Sequence, residues 1–506
     1  MTAVTVPGVK VVSGISNLQR LMLGAALGIL STILFIFAFQ PFSIWPLAFI
    51  AYVPILLAEN AILPLRWAGL SRAIGVGGFI AIFLTMVFGF GPIAVTFFII
   101  GAVIAAIGIL ATPALRRFHL RTNYRWFLLQ GAVDLVGIEL IRSFIPPINT
   151  HAFWAQTTYS QPWLIQPLAI FGVYGLSFVW MLINFGLALA AIMWFNGRFP
   201  WANPLSLAWD NIKRNLAIAG VAFAVWLVIS FIILFAAPAA SDTVRVAAVQ
   251  HGFPKAGHLE LETEEARLTT LTEQTRLAAA EDAQLIVWPE LSFGFDPQVK
   301  HTETLQALAA ETNAYLLIGY GVVTPNDEWR NEAVMLTPTG EFLPVYGKNF
   351  ATKPGEPDVV TAGSYPVYQT PLGNLATIIC NDVNYPLTTR TLAQNGAQLV
   401  TLPTLESGAP GLGWEQRTQA VLRAVESRVA VVKADSNGIQ MIIDPYGRIV
   451  DQKTMKTGEA GILVGDVALG TGNTLYAKWG NWFGWLGLVG LVIFTVAINR
   501  KSKGAS

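Results

Sequence analysis

The apolar positions of this chain follow two different patterns. In the first half they form unbroken blocks near the length, roughly 20 residues, that a helix needs to cross a bilayer. The blocks fall at 21–39, 46–60, 73–90, 92–112, 126–142, 168–194 and 215–237, with an eighth at 478–498. The second is short, and the fifth carries Asp134, Glu139 and Arg142. Between 241 and 470 the apolar runs are shorter, with helical stretches between them. "VRVAAVQ" (244–250), "QLIVWPE" (284–290), "AYLLIGYGVV" (314–323), "EAVMLTPTG" (332–340), "LATIIC" (375–380), "AQLVTLPT" (397–404), "VAVVKAD" (429–435) and "GIQMIID" (438–444) read as strands, and 259–280 and 415–428 as helices. Continuous apolar strands alternating with helices predict a layered α/β unit buried on both sheet faces.

Basic residues test the block count, because short cytoplasmic loops collect Lys and Arg. Lys10 and Arg20 precede the first block, and Arg66 and Arg72 follow the second. Arg116, Arg117, Arg121 and Arg125 follow the fourth; Arg198, Lys213 and Arg214 follow the sixth; Arg500, Lys501 and Lys503 follow the last. The alternate connections, "QPFSIW", the Gly91 turn and 143–167, contain neither residue beyond the helix ends. This alternation predicts a polytopic membrane domain of about eight transmembrane helices with both termini cytoplasmic. The expected organisation is a transmembrane domain at 1–240 with helices one to seven, an outer α/β unit at 241–470, and helix eight with a cytoplasmic tail at 471–506. The first block starts too late and lacks an A-x-A site for a removable signal peptide.

Composition agrees. The chain is 54% hydrophobic and 12% charged, against roughly 25% charged in soluble proteins. A net charge of +1 gives no footprint for nucleic acid. The single cysteine, Cys380, excludes an internal disulfide, a cysteine-based zinc cluster and an iron–sulfur centre. His119, His151, His251, His258 and His301 show no metal-ligand spacing. No metal and no cofactor is expected.

Three polar residues stand at strand ends, where α/β folds place their chemistry: Glu290 in "LIVWPE", Lys348 in "PVYGKNF" and Cys380 in "LATIIC". Each alone has an ordinary explanation as a solvated side chain, a cap or packing. Together they supply a nucleophile, a base to take its proton, and a cation to steady the thiolate and the oxyanion that follows. A carboxylate base works near neutrality when it is buried. No histidine stands at a strand end beside a nucleophile.

With these residues in this order, 243–470 resembles the nitrilase, or carbon–nitrogen hydrolase, superfamily. "RAVESRVAVVKADSNGIQMIIDPYG" (423–447) is similar to its late signature. The resemblance implies an αββα sandwich with Glu290 as general base, Lys348 stabilising thiolate and oxyanion, and Cys380 as nucleophile. The membrane half narrows this. "FAFQPFSIWPLAFIAYVPIL", "GIELIR", "FWAQTTYSQ" and "GVYGLSF" resemble the bacterial apolipoprotein N-acyltransferase family, whose nitrilase-like domain is inserted between helices seven and eight. Glu356 in "KNFATKPGE" keeps that family's spacing from the lysine to a second, supporting glutamate, although "PGEP" by itself reads as a turn. The resemblance implies transfer of an acyl chain from a phospholipid to a Cys380 thioester. The chain then passes to the α-amino group of the diacylglyceryl-cysteine at the start of a lipoprotein. The implied partners are a phospholipid, a diacylated lipoprotein and the bilayer, with the catalytic unit on the outer, periplasmic face of the bacterial cytoplasmic (inner) membrane.

Two features depart from the family pattern. Asn381 and Asp382 replace an aromatic residue and Glu after the cysteine, so they become candidate substrate contacts. The arm "HGFPKAGH" (251–258) lacks the family's tryptophan. A membrane-anchored amidase using water as acceptor, and a non-catalytic lipoprotein-binding protein, are the alternatives. Elsewhere, Glu139 and Arg142 at i and i+3 are expected to pair on one helix face or to support the lipid site. Trp154, Tyr159 and Trp163 are expected to form an interfacial belt. Arg423, Glu426 and Arg428 are expected to buttress the core helix.

Overall fold

The computed structural model describes residues 15–500 apart from 146–147, 204–208, 238–242, 253–260, 354, 407–409 and 457. The expected boundary at 240/241, most of the arm after Gln250, and Lys10, Lys501 and Lys503 therefore lie outside the described residues.

Among the described residues seven helices are long and apolar enough to cross a membrane: α1 (Asn17–Ala38), α2 (Trp45–Ile62), α3 (Leu65–Phe88), α4 (Pro92–Arg121), α6 (Leu168–Arg198), α7 (Trp209–Phe235) and α12 (Trp482–Asn499). The fifth apolar block forms a helix too, α5 (Phe127–Arg142). It is 16 residues long and carries charge, so length and composition do not place it with the seven. It packs on α6 and α12. α1 shows how these helices begin. Ser16 caps it in a reciprocal box with Gln19, which satisfies two N–H groups that a helix start leaves free.

Glu139 and Arg142 do not pair as expected. Glu139 Oε1 accepts the Trp154 N–H at 3.0 Å, and Arg142 donates to the His151 carbonyl. Both side chains secure the segment after α5, because its backbone groups are buried and need partners. The aromatic belt is likewise corrected. Trp154 and Tyr159 are buried, at 6% and 3% exposure. Trp154 packs edge-on against Phe35 at 5.2 Å, and Tyr159 meets Arg417. Only Trp163 is partly exposed. The segment folds back between the helices and the catalytic unit, which removes it from an interface.

The catalytic unit holds two six-stranded sheets. The first contains β1 (Thr243–His251), β2 (Leu285–Val287), β3 (Tyr315–Val323), β4 (Trp329–Leu336), β5 (Tyr346–Gly347) and β12 (Ala460–Ala468), in the order β12-β1-β2-β3-β4-β5. The second contains β6 (Val367–Thr370), β7 (Gly373–Thr377), β8 (Leu399–Thr404), β9 (Ala430–Asp435), β10 (Ile439–Ile443) and β11 (Ile449–Thr454), in the order β11-β10-β9-β8-β7-β6. Both have parallel strands at their centre, β1-β2-β3 and β7-β8-β9, with antiparallel flanks. The sheets pack face to face through β1, β2, β8 and β9. α8 (Leu261–Ala280) packs on β1 and β12 and α9 (Thr302–Thr312) on α8. α11 (Pro410–Ser427) packs against β9 and β10, with α10 (Pro386–Gln394) beside it. This is the αββα sandwich.

α11 also contacts α3 and α6, so it lies between the second sheet and the membrane helices. At its start a Cβ on Gly411 would sit 2.3 Å from Val87 Cα, and glycine alone permits that approach. Further along, Glu426 Oε1 accepts the Val173 N–H at 2.9 Å while Arg423 lies 3.0 Å from Glu426. Arg428 donates to the Pro445 carbonyl and covers the Tyr446 ring. These side chains buttress the helix, and Glu426 also ties it to α6.

Candidate active site

Glu290 lies on the turn after β2. Trp288 still bonds to β3 through its N–H, and Ser292 donates to the Gly319 carbonyl. β3 closes on this turn because residue 319 is glycine: a Cβ there would be 2.4 Å from Pro289 O and 3.0 Å from Glu290 Cα. Lys348 follows β5, and its N–H bonds to the Asn331 carbonyl on β4. The two sheet-end residues meet below the surface. Lys348 Nζ is 2.9 Å from Glu290 Oε1 and 2.6 Å from Glu356 Oε2. Asn331 Nδ2 donates to both carboxylates, at 2.8 Å to Glu290 and 2.7 Å to Glu356. The Thr352 N–H donates to Glu356 as well. Glu356 thus lies in the cluster, bonded to the lysine.

Cys380 begins a short 3-10 turn after β7 and has φ of 47°. A side-chain-bearing residue is uncommon there, and such outliers cluster at functional sites. Asp382 holds the turn. Its carboxylate accepts the Ile379 N–H at 3.0 Å, the Phe350 N–H at 2.8 Å and the Tyr346 hydroxyl at 2.7 Å. The last two partners flank Lys348, so one carboxylate locks the Cys380 turn to the lysine loop. Asp382, expected as a candidate substrate contact, is fully buried and lies outside the cavity lining. Asn381 does line the cavity, and it donates to the Phe350 and Ala351 carbonyls.

The thiol receives a hydrogen bond from Gln416 Nε2 on α11, 3.1 Å from Sγ. Burial and the adjacent Glu290 carboxylate push the Cys380 thiol well above its ordinary value, against the pull of Lys348. Burial alone would discharge Lys348, but the surrounding anions Glu290 and Glu356 raise it, so it stays an ammonium. Burial raises Glu356, yet Lys348 and its hydrogen bonds outweigh that and hold it below the usual carboxylate range. Burial brings Asp382 up to about 6. At rest Cys380 is therefore a protonated thiol beside the Glu290 side chain.

A cavity of about 60 Å³ opens at Cys380. The catalytic unit contributes Asn381, Lys353 and Leu405 to its wall; the membrane half contributes Phe88, Asn149 and His151. Phe88 also lines a second cavity of about 460 Å³ with Met86, Phe90, Ile93 and Trp414. Cys380 thus faces the seam between the two halves of the molecule.

Sequence reasoning missed Asn331, Gln416 and the cavity-lining His151, whose Nδ1 lies 3.0 Å from Glu415 Oε1. Asn331 is an ordinary strand residue, Gln416 and Glu415 sit on a helix read as structural, and His151 belongs to the membrane half. Nothing in their spacing links them to Cys380.

Two family models match: "Carbon-nitrogen hydrolase" over residues 245–475, and "Apolipoprotein N-acyltransferase N-terminal domain" over 31–186. Among curated proteins the chain is 26% identical to an apolipoprotein N-acyltransferase of Geobacter metallireducens, covering 94% of this chain and 95% of that one. It is also 26% identical to one of Pseudomonas putida, over 92% and 93% of the two chains. Among solved structures it is similar to a mutant of the Nesterenkonia AN1 amidase from the nitrilase superfamily, at 23% identity and a TM-score of 0.40, covering 48% of this chain and 95% of that chain.

Proposed function

The chain belongs to the apolipoprotein N-acyltransferase family, and from that premise we propose that it moves an acyl chain from a phospholipid, through a thioester on Cys380, to the α-amino group of the N-terminal diacylglyceryl-cysteine of lipoproteins. It is an acyltransferase of the carbon–nitrogen hydrolase superfamily and a bacterial membrane protein. In this proposal the catalytic unit stands on the outer face of the cytoplasmic membrane.

The observation that carries the chemistry is the convergence of Glu290, Lys348 and Cys380 in one buried cluster, with Lys348 Nζ 2.9 Å from Glu290. Glu290 takes the thiol proton as sulfur attacks the phospholipid ester carbonyl. Lys348 stabilises the negative charge that develops on the carbonyl oxygen, an electrostatic contribution that is large in a dry site. As the tetrahedral intermediate collapses, Glu290 returns the proton to the departing lysophospholipid oxygen and the thioester remains. The acceptor nitrogen then attacks the thioester, and the sulfur leaves and is reprotonated. Two lower barriers replace one high one.

The position of the cavity supports lipid substrates. Removing an acyl chain from the bilayer costs roughly 0.8 kcal/mol per CH₂, so the nucleophile must lie within reach of the membrane. Here the wall facing Cys380 includes Phe88 at the end of α3. The test is incubation of the protein with phospholipid and a diacylated lipopeptide, followed by mass spectrometry. The Cys380 peptide should gain one acyl chain that hydroxylamine releases, and the lipopeptide should gain one on its amine. Lipopeptide acylation at the wild-type rate by Cys380→Ala would overturn the proposal. So would release of free fatty acid alone.

A further inference from the structure

The second half-reaction has a proton balance that Glu290 and Cys380 do not close. An α-amino group has a pKa of roughly 7.7–8.0, so a lipoprotein N-terminus arrives mostly as an ammonium. The balanced step is R–NH₃⁺ + acyl–S–Cys380 → R–NH–acyl + HS–Cys380 + H⁺. Nitrogen loses two protons. One returns to the Cys380 sulfur through Glu290; the other needs an acceptor before the nitrogen can attack.

The site holds few candidates. Lys348 is already charged, with both carboxylates around it. Glu356 is occupied by Lys348, Thr352 and Asn331. The amides of Asn149, Asn381, Asn384 and Gln416 in the cavity wall have no useful proton affinity. One imidazole lines the same cavity as Cys380: His151.

His151 is built in. It is 2% exposed, and its Nδ1 lies 3.0 Å from Glu415 Oε1, itself a buried carboxylate. The approach is close but off the straight hydrogen-bond line, and it becomes an ion pair only when the imidazole takes up a proton. Glu415 Oε1 is fixed by Gln156 Nε2 at 2.5 Å and Gln419 Nε2 at 3.2 Å. Arg142 donates to the His151 carbonyl, and Phe88 packs edge-on to the ring with centroids 5.2 Å apart. The charged groups around the ring are thus Glu415 from α11 and Arg142 from α5, with Lys353 in the wall of the shared cavity. An imidazole beside a buried carboxylate is suited to accept a proton and hold it as imidazolium.

We propose that His151, paired with Glu415, takes the proton that the acceptor ammonium must lose before its nitrogen attacks the Cys380 thioester. This rests on the acyl-transfer function above and gives the site two bases, one for each lost proton.

The test uses the full-length protein in phospholipid liposomes, as wild type, His151→Gln and Glu415→Gln. In His151→Gln the acyl-enzyme forms and accumulates. Transfer to a diacylated lipopeptide falls about tenfold at pH 7 and recovers towards wild type at pH 9, because the free-base fraction of the amine rises across that range. Glu415→Gln shifts the profile in the same direction by less. Hydroxylamine, largely uncharged at pH 7, discharges the His151→Gln acyl-enzyme at the wild-type rate, which shows a folded site that has lost only deprotonation. A loss that is flat with pH, a loss of hydroxylamine discharge, or no loss overturns the role of His151 while wild-type transfer stands. A wild-type protein that leaves the lipopeptide unmodified at every pH overturns the acyl-transfer function itself, and this role with it.

Discussion

Among its described residues the catalytic unit contains two buried lysines, each held by two carboxylates, and only Lys348 lies beside the Cys380 thiol. Lys348 lies 2.9 Å from Glu290 and 2.6 Å from Glu356; Lys433 lies 2.7 Å from Glu406 and 2.7 Å from Asp435. The electrostatic outcomes differ. In the first cluster Glu356 is held below the usual carboxylate range. In the second, burial and the neighbouring Asp435 push Glu406 up to about 8, so it keeps its proton near neutral pH while Asp435 is held low. The second cluster neutralises itself and closes a corner of the fold. Thr404 Oγ1 donates to Asp435 at 2.6 Å, and Lys433 Nζ donates to the Ile439 carbonyl at 3.0 Å, which joins β8, β9 and β10. In the first, Asn331 donates to both carboxylates and fixes them beside the lysine. A lysine between two carboxylates thus makes a clamp at one place and a candidate charge relay where a cavity opens.

Exchanging the lysines breaks the comparison most sharply. Lys348→Met should lower the rate of acyl-enzyme formation by a factor of about 10²–10³, as expected when one oxyanion donor is lost. Lys433→Met should instead lower stability by about 3–5 kcal/mol, because it strands a buried charge, while the folded fraction keeps its activity. Stopped acyl-labelling and thermal unfolding of both variants check this; equal effects on rate and stability would erase the distinction. Glu356→Gln removes a charged hydrogen bond to Lys348, worth about 1.5–3 kcal/mol, and should slow acylation by about tenfold or more.

The pH dependence of stability sharpens the other side. Glu406 binds its proton more tightly folded than unfolded, so its contribution is full below its unfolded value of roughly 4.3. It is lost as pH rises through about 8. Glu406→Gln resembles the protonated form, so its melting temperature should fall less than that of wild type between pH 6 and 9. The smallest effect is expected at Gln416→Ala, which deletes the hydrogen bond to Cys380 Sγ. A neutral hydrogen bond contributes about 1 kcal/mol, so acylation should slow by about fivefold with stability unchanged.

Much of the catalytic unit was legible because its central strands are continuous apolar runs. β1, β2, β3, β4, β7, β8, β9 and β10 all fall within or beside the runs read as strands. β11 was not, since "IVDQKT" is mostly exposed and has no buried face to pattern it. β5 and β6 are two and four residues long, too short for a period. α9 and α10 escaped for the same reason: each has only a few buried positions. In the membrane half, length and apolarity located every long helix among the described residues but could not settle α5, where Asp134, Glu139 and Arg142 interrupt the signal.

The amino-acid order alone determined the membrane character, the inserted α/β unit and the positions of Glu290, Lys348 and Cys380 at strand ends, because periodicity and strand termini are local properties of the chain. Only the tertiary structure decided which polar residues meet. Glu139 and Arg142, three positions apart on one helix, turn instead to the Trp154 N–H and the His151 carbonyl. Asp382, adjacent to Cys380 but one in chain order, holds the turn from below and leaves the cavity to Asn381. His151 and Glu415 come together across the seam between the membrane helices and α11. Such contacts depend on how two separately patterned halves dock. That geometry is set by close approaches such as Gly411 on Val87, which no local pattern encodes.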